Sequence, residues 1–218
     1  MVTPALDEFL SLAREGRATP LRRRIPADLE TPVSAYLKLT GQGAAILLES
    51  VEQGIQVGRY SFIGLDTDLE LTISDAVSAT LHEGERLEEP LEHAAPFAQL
   101  DAALAAIRSR VRDPLPGPLG AAVGYLGWEM AGRFERLSLP AEGDLGLPDA
   151  RLLFPSALVI FDHVKSEIEA VVLPPLDEPG EAGYRQAETR LGEILDALSS
   201  PLPADATPGP AACLAPAA

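Results

Sequence analysis

Leu47-Leu48-Glu49-Ser50-Val51-Glu52, followed by Gly58-Arg59-Tyr60-Ser61-Phe62-Ile63-Gly64, is the stretch whose reading decides how this chain folds. Gly43 to Ser50 is a mostly apolar run of strand length, and Val57 to Ile63 has the composition to run back beside it. By residue type alone, Glu49 and Ser50 read as a solvated carboxylate at a strand end and a turn hydroxyl. Arg59 has two readings: a planar fork offered to a carboxylate, or a structural arginine holding Glu49 or Glu52.

Outward from this pair, strand and helix signals alternate. Thr3-Pro4 predicts an N-cap with proline at the first helical position; Leu6, Phe9, Leu10 and Ala13 then share a face, and Gly16 closes the helix. Thr31-Pro32 repeats that start for a short helix through Leu39. Leu69, Leu71 and Ile73, then Val77, Ala79 and Leu81, alternate with polar residues around Ser74-Asp75-Ala76, which predicts a hairpin with one buried face. Pro96 to Arg112 carries apolar residues at helical spacing. Ala121 to Leu126 is a small-residue strand, where Gly120, Gly124 and Gly127 suggest close backbone approach. Leu152–Phe161 and Ile168–Leu173 predict a second hairpin turning near Val164-Lys165-Ser166, and Glu181 to Leu198 a final amphipathic helix. Strands paired as hairpins among helices make the fold class α+β, not doubly wound α/β. One domain is expected over 1–200. The segment 201–218 holds five prolines and seven alanines, a composition that cannot offset the entropy of ordering, and reads as a disordered tail or linker.

Composition excludes several functions. A formal charge of −16 repels nucleic acid, and no Lys/Arg stripe offsets it. Arg22-Arg23-Arg24 is too short to track phosphates; on an alternating strand it reads as solvated or ion-paired edge charges. The single cysteine, Cys213, can build neither an internal disulfide framework nor a Cys-rich metal site, which fits a reducing cytosol. Met1 to Gly16 resembles neither a signal peptide nor a membrane span, so a cytoplasmic location without membrane contact is expected. His82, His93 and His163 are scattered, with no visible metal site or nucleophilic triad; His163 reads as structural. The stretch 120–127 lacks the order of a dinucleotide loop, and Trp128 and Phe134 read as core or interface residues.

The opening stretch is similar to the signature near the N-terminus of anthranilate synthase component I, a chorismate-utilising family. Three further blocks occur in that family's order. They are Arg22 to Leu39 (RRRIPADLETPVSAYLKL), Gly120 to Glu129 with Arg133-Phe134-Glu135, and Pro148-Asp149-Ala150 through Leu158-Val159-Ile160-Phe161-Asp162-His163. The resemblance reaches from about Pro20 to about Leu173. It implies orthogonally packed, sandwich-like antiparallel sheets flanked by helices, completed jointly by N- and C-terminal halves. It also implies that Leu48, Glu49 and Ser50 form one wall of the L-tryptophan feedback site, with Arg59 and Tyr60 as possible supports. The family's other wall is an Asn-Pro-Ser-Pro-Tyr-Met-like segment, which these residues do not contain.

The whole enzyme of such a family converts chorismate and an ammonia source to anthranilate and pyruvate. The implied partners are the chorismate-binding catalytic half and, through the complete enzyme, a glutamine amidotransferase subunit. Mg²⁺ is expected only with that catalytic half, and no cofactor in this chain. The Gly-Thr-Arg-Arg-Arg-Gly-like and Asp-Leu-Gly-Arg-Asn-Asp-like motifs that would anchor a dicarboxylate and a metal are absent from these residues, so the chain alone is expected to be inert, as a split, truncated or frame-shifted product would be. Two alternatives remain: the related aminodeoxychorismate synthase component I, from which Asp28 to Val33 leans away, and a stand-alone amino-acid-binding or scaffolding module.

Overall fold

The computed structural model describes residues 1–14, 19–50, 58–67, 69–74, 77–82, 85–90, 105, 117–133, 137, 147–175, 178 and 180–204. Among these residues, ten strands form two five-stranded antiparallel sheets. The first runs β1 (Leu21–Pro26), β10 (Glu167–Val172), β9 (Ala157–Asp162), β3 (Tyr60–Leu65), β2 (Ala44–Glu49). The second runs β6 (Glu85–Pro90), β5 (Val77–His82), β4 (Leu69–Ser74), β8 (Ala150–Phe154), β7 (Val123–Leu126). With helices α1 (Leu6–Ala13), α2 (Pro32–Leu39) and α3 (Glu181–Ser199), this is the α+β architecture the sequence predicts.

The first sheet holds the main core. β9 is apolar from Ala157 to Phe161 because both its faces are covered there. Ala157, Val159 and Phe161 pack with Ile63, Leu65, Ile168 and Ala170 under the helices, against Phe9, Leu39, Leu191, Ile194 and Leu198. Leu158 and Ile160 project the other way, against Leu119, Val171 and Phe62. α2 begins with a capping box: Thr31 Oγ1 accepts from Ser34 N at 3.1 Å, and Ser34 Oγ accepts from Thr31 N at 2.9 Å. Lys38 ties α2 to the end of α3 by donating to the Leu198 carbonyl at 2.9 Å. In the second sheet, Leu71, Ile73, Ala150, Leu152 and Phe154 share a buried face with Met130. The opposite face carries the Arg151–Glu70 pair, bidentate at 2.8 and 3.1 Å.

Three expectations change. The predicted strand over 152–161 is two strands in different sheets, β8 and β9, broken at Pro155. Proline has no N–H for a ladder, and Ser156 turns the chain by giving its amide (3.1 Å) and hydroxyl (2.9 Å) to the Asp66 carbonyl. The first helix starts at Leu6, not at Thr3-Pro4, because Thr3 exchanges backbone hydrogen bonds with Arg22 at 3.0 and 2.8 Å. β6 forms although its sequence, ERLEEP, has no clean alternation. The predicted helix over 96–112 lies outside the described residues apart from Ala105, as do Phe134 and the tail beyond 204.

Candidate functional site

Antiparallel pairing sets the register of the opening stretch: Leu48 faces Phe62, and Glu49 faces Ser61. Alternation then separates the three candidate residues. Leu48 shares the face of Phe62 and Tyr60, away from the helices, whereas Glu49 projects to the helix-bearing side with Ser61. Ser50 follows the end of β2 and lies against Gly58; a Cβ at position 58 would overlap the Ser50 carbonyl oxygen and side chain. Glycine at 58 therefore lets the two chain segments close on each other beside the hydroxyl.

Leu48 and Tyr60 are 39% and 37% exposed, so the strip beside Ser50 is apolar and open to solvent. Tyr60 and Phe62 rings lie 6.0 Å apart. A hydroxyl that can donate and accept thus stands next to an aliphatic and aromatic surface.

Among the described residues, Arg59 pairs with Asp162 and not with Glu49; Glu52 lies outside them. Its guanidinium donates to Asp162 Oδ2 at 3.0 Å and lies over the Tyr60 ring at 4.8 Å. The Arg59 hydrogen bond holds the Asp162 carboxyl below its ordinary range, helped by the Lys165 and Val164 amides at 3.2 and 3.1 Å. His163 donates its amide to the Arg59 carbonyl at 2.9 Å, and its Nε2 lies 2.8 Å from the buried Ser61 hydroxyl. Arg59 is therefore a strut between β3 and the β9–β10 turn, and His163 is structural as expected. Sequence reasoning flagged Asp162-His163 as an acid beside a histidine, but nothing local marked Arg59 and Ser61, some hundred positions earlier, as their partners.

Among the described residues, no cluster of His, Cys, Asp and Glu could hold a metal ion, and no helix is long and apolar enough to cross a membrane. Gly124 is explained by close approach to β8, where a Cβ would overlap the Arg151 carbonyl oxygen.

No family model matches the chain. It is 36% identical over 205 residues to anthranilate synthase component 1 of Mycolicibacterium smegmatis, covering 92% of this chain and 39% of the relative. Identity to the Pseudomonas putida protein of the same name is 35% over 206 residues, covering 90% and 40%. The crystal structure of anthranilate synthase component I from Streptococcus pneumoniae superposes with a TM-score of 0.48 at 24% identity, over 83% of this chain and 38% of that one. The chain is an α+β protein that spans about two-fifths of the curated relatives it matches. It is a homologue of anthranilate synthase component 1.

Proposed function

We propose that these 218 residues act as the N-terminal, regulatory and structural portion of anthranilate synthase component 1, with the end of β2 as one wall of a tryptophan feedback site. The whole enzyme's reaction, chorismate and an ammonia source to anthranilate and pyruvate, belongs to this chain only in company with a chorismate-binding catalytic portion and, through it, an amidotransferase subunit. The observation that supports this reading most is the Ser50 hydroxyl beside the open apolar strip of Leu48 and Tyr60. The hydroxyl suits the zwitterionic head of an amino acid and the strip suits its indole. Glu49 closes the strand end from the opposite face, and Arg59 acts through Asp162 rather than on the ligand.

The test is reconstitution with a separately produced catalytic portion, followed by anthranilate fluorescence. Ser50→Ala should weaken tryptophan inhibition by about 1.5–3 kcal/mol, or roughly one to two decades in affinity. An unshifted inhibition curve removes Ser50 from the site. Calorimetry of tryptophan against the 218-residue chain alone should give no heat, because this wall is half of the proposed site. Micromolar binding would mean that the described wall is the entire site.

A further inference from the structure

Among the described residues, four strands form the edges of the two sheets, and they are protected unequally. β1, one edge of the first sheet, carries Arg22, Arg23, Arg24 and Pro26, and Thr3 exchanges backbone hydrogen bonds with it. β6, one edge of the second, carries Glu85, Arg86, Glu88, Glu89 and Pro90. Charges and proline on an edge strand block further pairing. β2 carries the strip assigned above to the feedback wall. The remaining edge, β7, reads Val-Gly-Tyr-Leu and has neither charge nor proline.

The apolar face of the second sheet also ends open at β7. The register sets Leu126 opposite Ala150 and Gly124 opposite Leu152, on the face that buries Leu71 and Ile73. Leu126 thus continues that core, yet it is 53% exposed. Trp128, two residues on, is more exposed still, although Met130 in the same short helix is buried in the cluster. Leu147, exposed as well, precedes the Pro148 carbonyl that accepts from the Tyr125 hydroxyl at 3.1 Å. Large apolar groups left together at an unblocked sheet edge mark a contact surface.

We propose that β7, with Leu126 and Trp128, is the surface on which the catalytic portion docks, adding a strand to β7 and closing the second core over both side chains. The chain covers 39% and 40% of the two relatives described above, so about three-fifths of each has no counterpart in it. A strand added at an open edge gains main-chain hydrogen bonds, and a tryptophan beside it supplies an anchor. A second copy of this chain suits the surface less well, because each copy carries a formal charge of −16 and the two would repel. This placement rests on the regulatory and structural reading of the chain and gives that reading's partner its surface. It is distinct from the Ser50 wall, because β7 and β2 bound different sheets.

The experiment mixes a separately produced catalytic portion with the 218-residue chain carrying fluorotryptophan in place of Trp128, its single tryptophan. The fluorine resonance should shift and broaden saturably, and anthranilate should form. Trp128→Ala and Leu126→Lys, followed by sedimentation, should each weaken association at least about tenfold. Val164→Ala, which trims an exposed apolar group in the β9–β10 turn, should leave it unchanged. An unmoved resonance in a complex that forms anthranilate overturns the docking surface and leaves the proposed function standing. So do folded Trp128 and Leu126 variants that associate as tightly as the natural chain. The fluorine arm needs no variant, so it decides the matter if one fails to fold. Failure of the natural chain to associate at all overturns both readings. A dimer of the chain alone that Trp128→Ala dissociates would give the surface to a second copy and overturn the proposal.

Discussion

Among the described residues, the two sheets differ in how much of each is covered. In the first, eighteen buried apolar residues form one cluster under three helices, and β9 is covered on its other face as well. The second gathers six described buried residues on one face. Its edge strand β7 exposes Tyr125 and Leu126, and Trp128 just beyond it is 80% exposed. A sheet covered on both sides gains its stability within the chain. A sheet that leaves large apolar groups at its edge gains less, and offers surface for packing against something else.

The sharpest way to break this comparison is by truncation in each core. Phe161→Ala in the first sheet should cost about 3–5 kcal/mol, and Leu152→Ala in the second about 2 kcal/mol, read as urea midpoints. Equal losses would mean that the sheets are equally closed. Next comes the joint between them. Arg190 of α3 grips the Asp66 carboxylate with two hydrogen bonds of 2.8 Å and also holds Gln42. Arg190→Gln should cost about 1.5–3 kcal/mol. A loss no larger than an ordinary surface change would show that the joint holds without it.

A smaller effect belongs to the strut beside Ser50. Asp162 has its pKa lowered by Arg59, so its contribution is present above the unfolded value and is lost as pH falls through the folded one. The stability gap between the natural chain and Asp162→Asn should be open at neutral pH and close below about pH 3.9, the ordinary aspartate value. A gap independent of pH would show that the carboxylate charge is not what matters. The smallest effect is at the open edge. Trp128 is the single tryptophan, so its fluorescence reports this surface alone. Acrylamide, being uncharged, should quench it almost as well as free indole, and Trp128→Ala should change stability by no more than about 0.5 kcal/mol. A protected indole would show that the edge is covered within the chain.

What was legible in the sequence is what local chemistry specifies. The alternation in 69–81 gave the β4–β5 hairpin, Thr31-Pro32 gave the start of α2, and the spacing in 181–198 gave α3. β2 and β3 pair as their composition predicts. What escaped depends on residues far apart. β1 pairs with β10 across most of the chain, Arg59 finds Asp162, and Arg190 finds Asp66. The β8–β9 boundary escaped because Pro155 sits in an apolar run that reads as a single strand until its two halves are seen in different sheets. Of the candidate site, the apolar strip and hydroxyl were readable; the separation of Glu49 from Leu48 followed only once the register was known.

The corner where the chain changes sheets has a consequence for how its length can vary. β3 and β4 together lie opposite β9 and β8, Leu65 facing Ala157 and Leu69 facing Phe154. Between these two pairs the chain has three residues on one side and two, Pro155 and Ser156, on the other. The additional residue is accommodated where Asp66 takes a left-handed conformation, φ +53°, which aspartate tolerates better than most residues. Removing one residue there would shift β4 by one position against β8 and turn Leu69, Leu71 and Ile73 out of their core. Insertions and deletions should thus be excluded from this corner in any relative that keeps both sheets. The length of the chain there is fixed as firmly as the identity of a buried side chain.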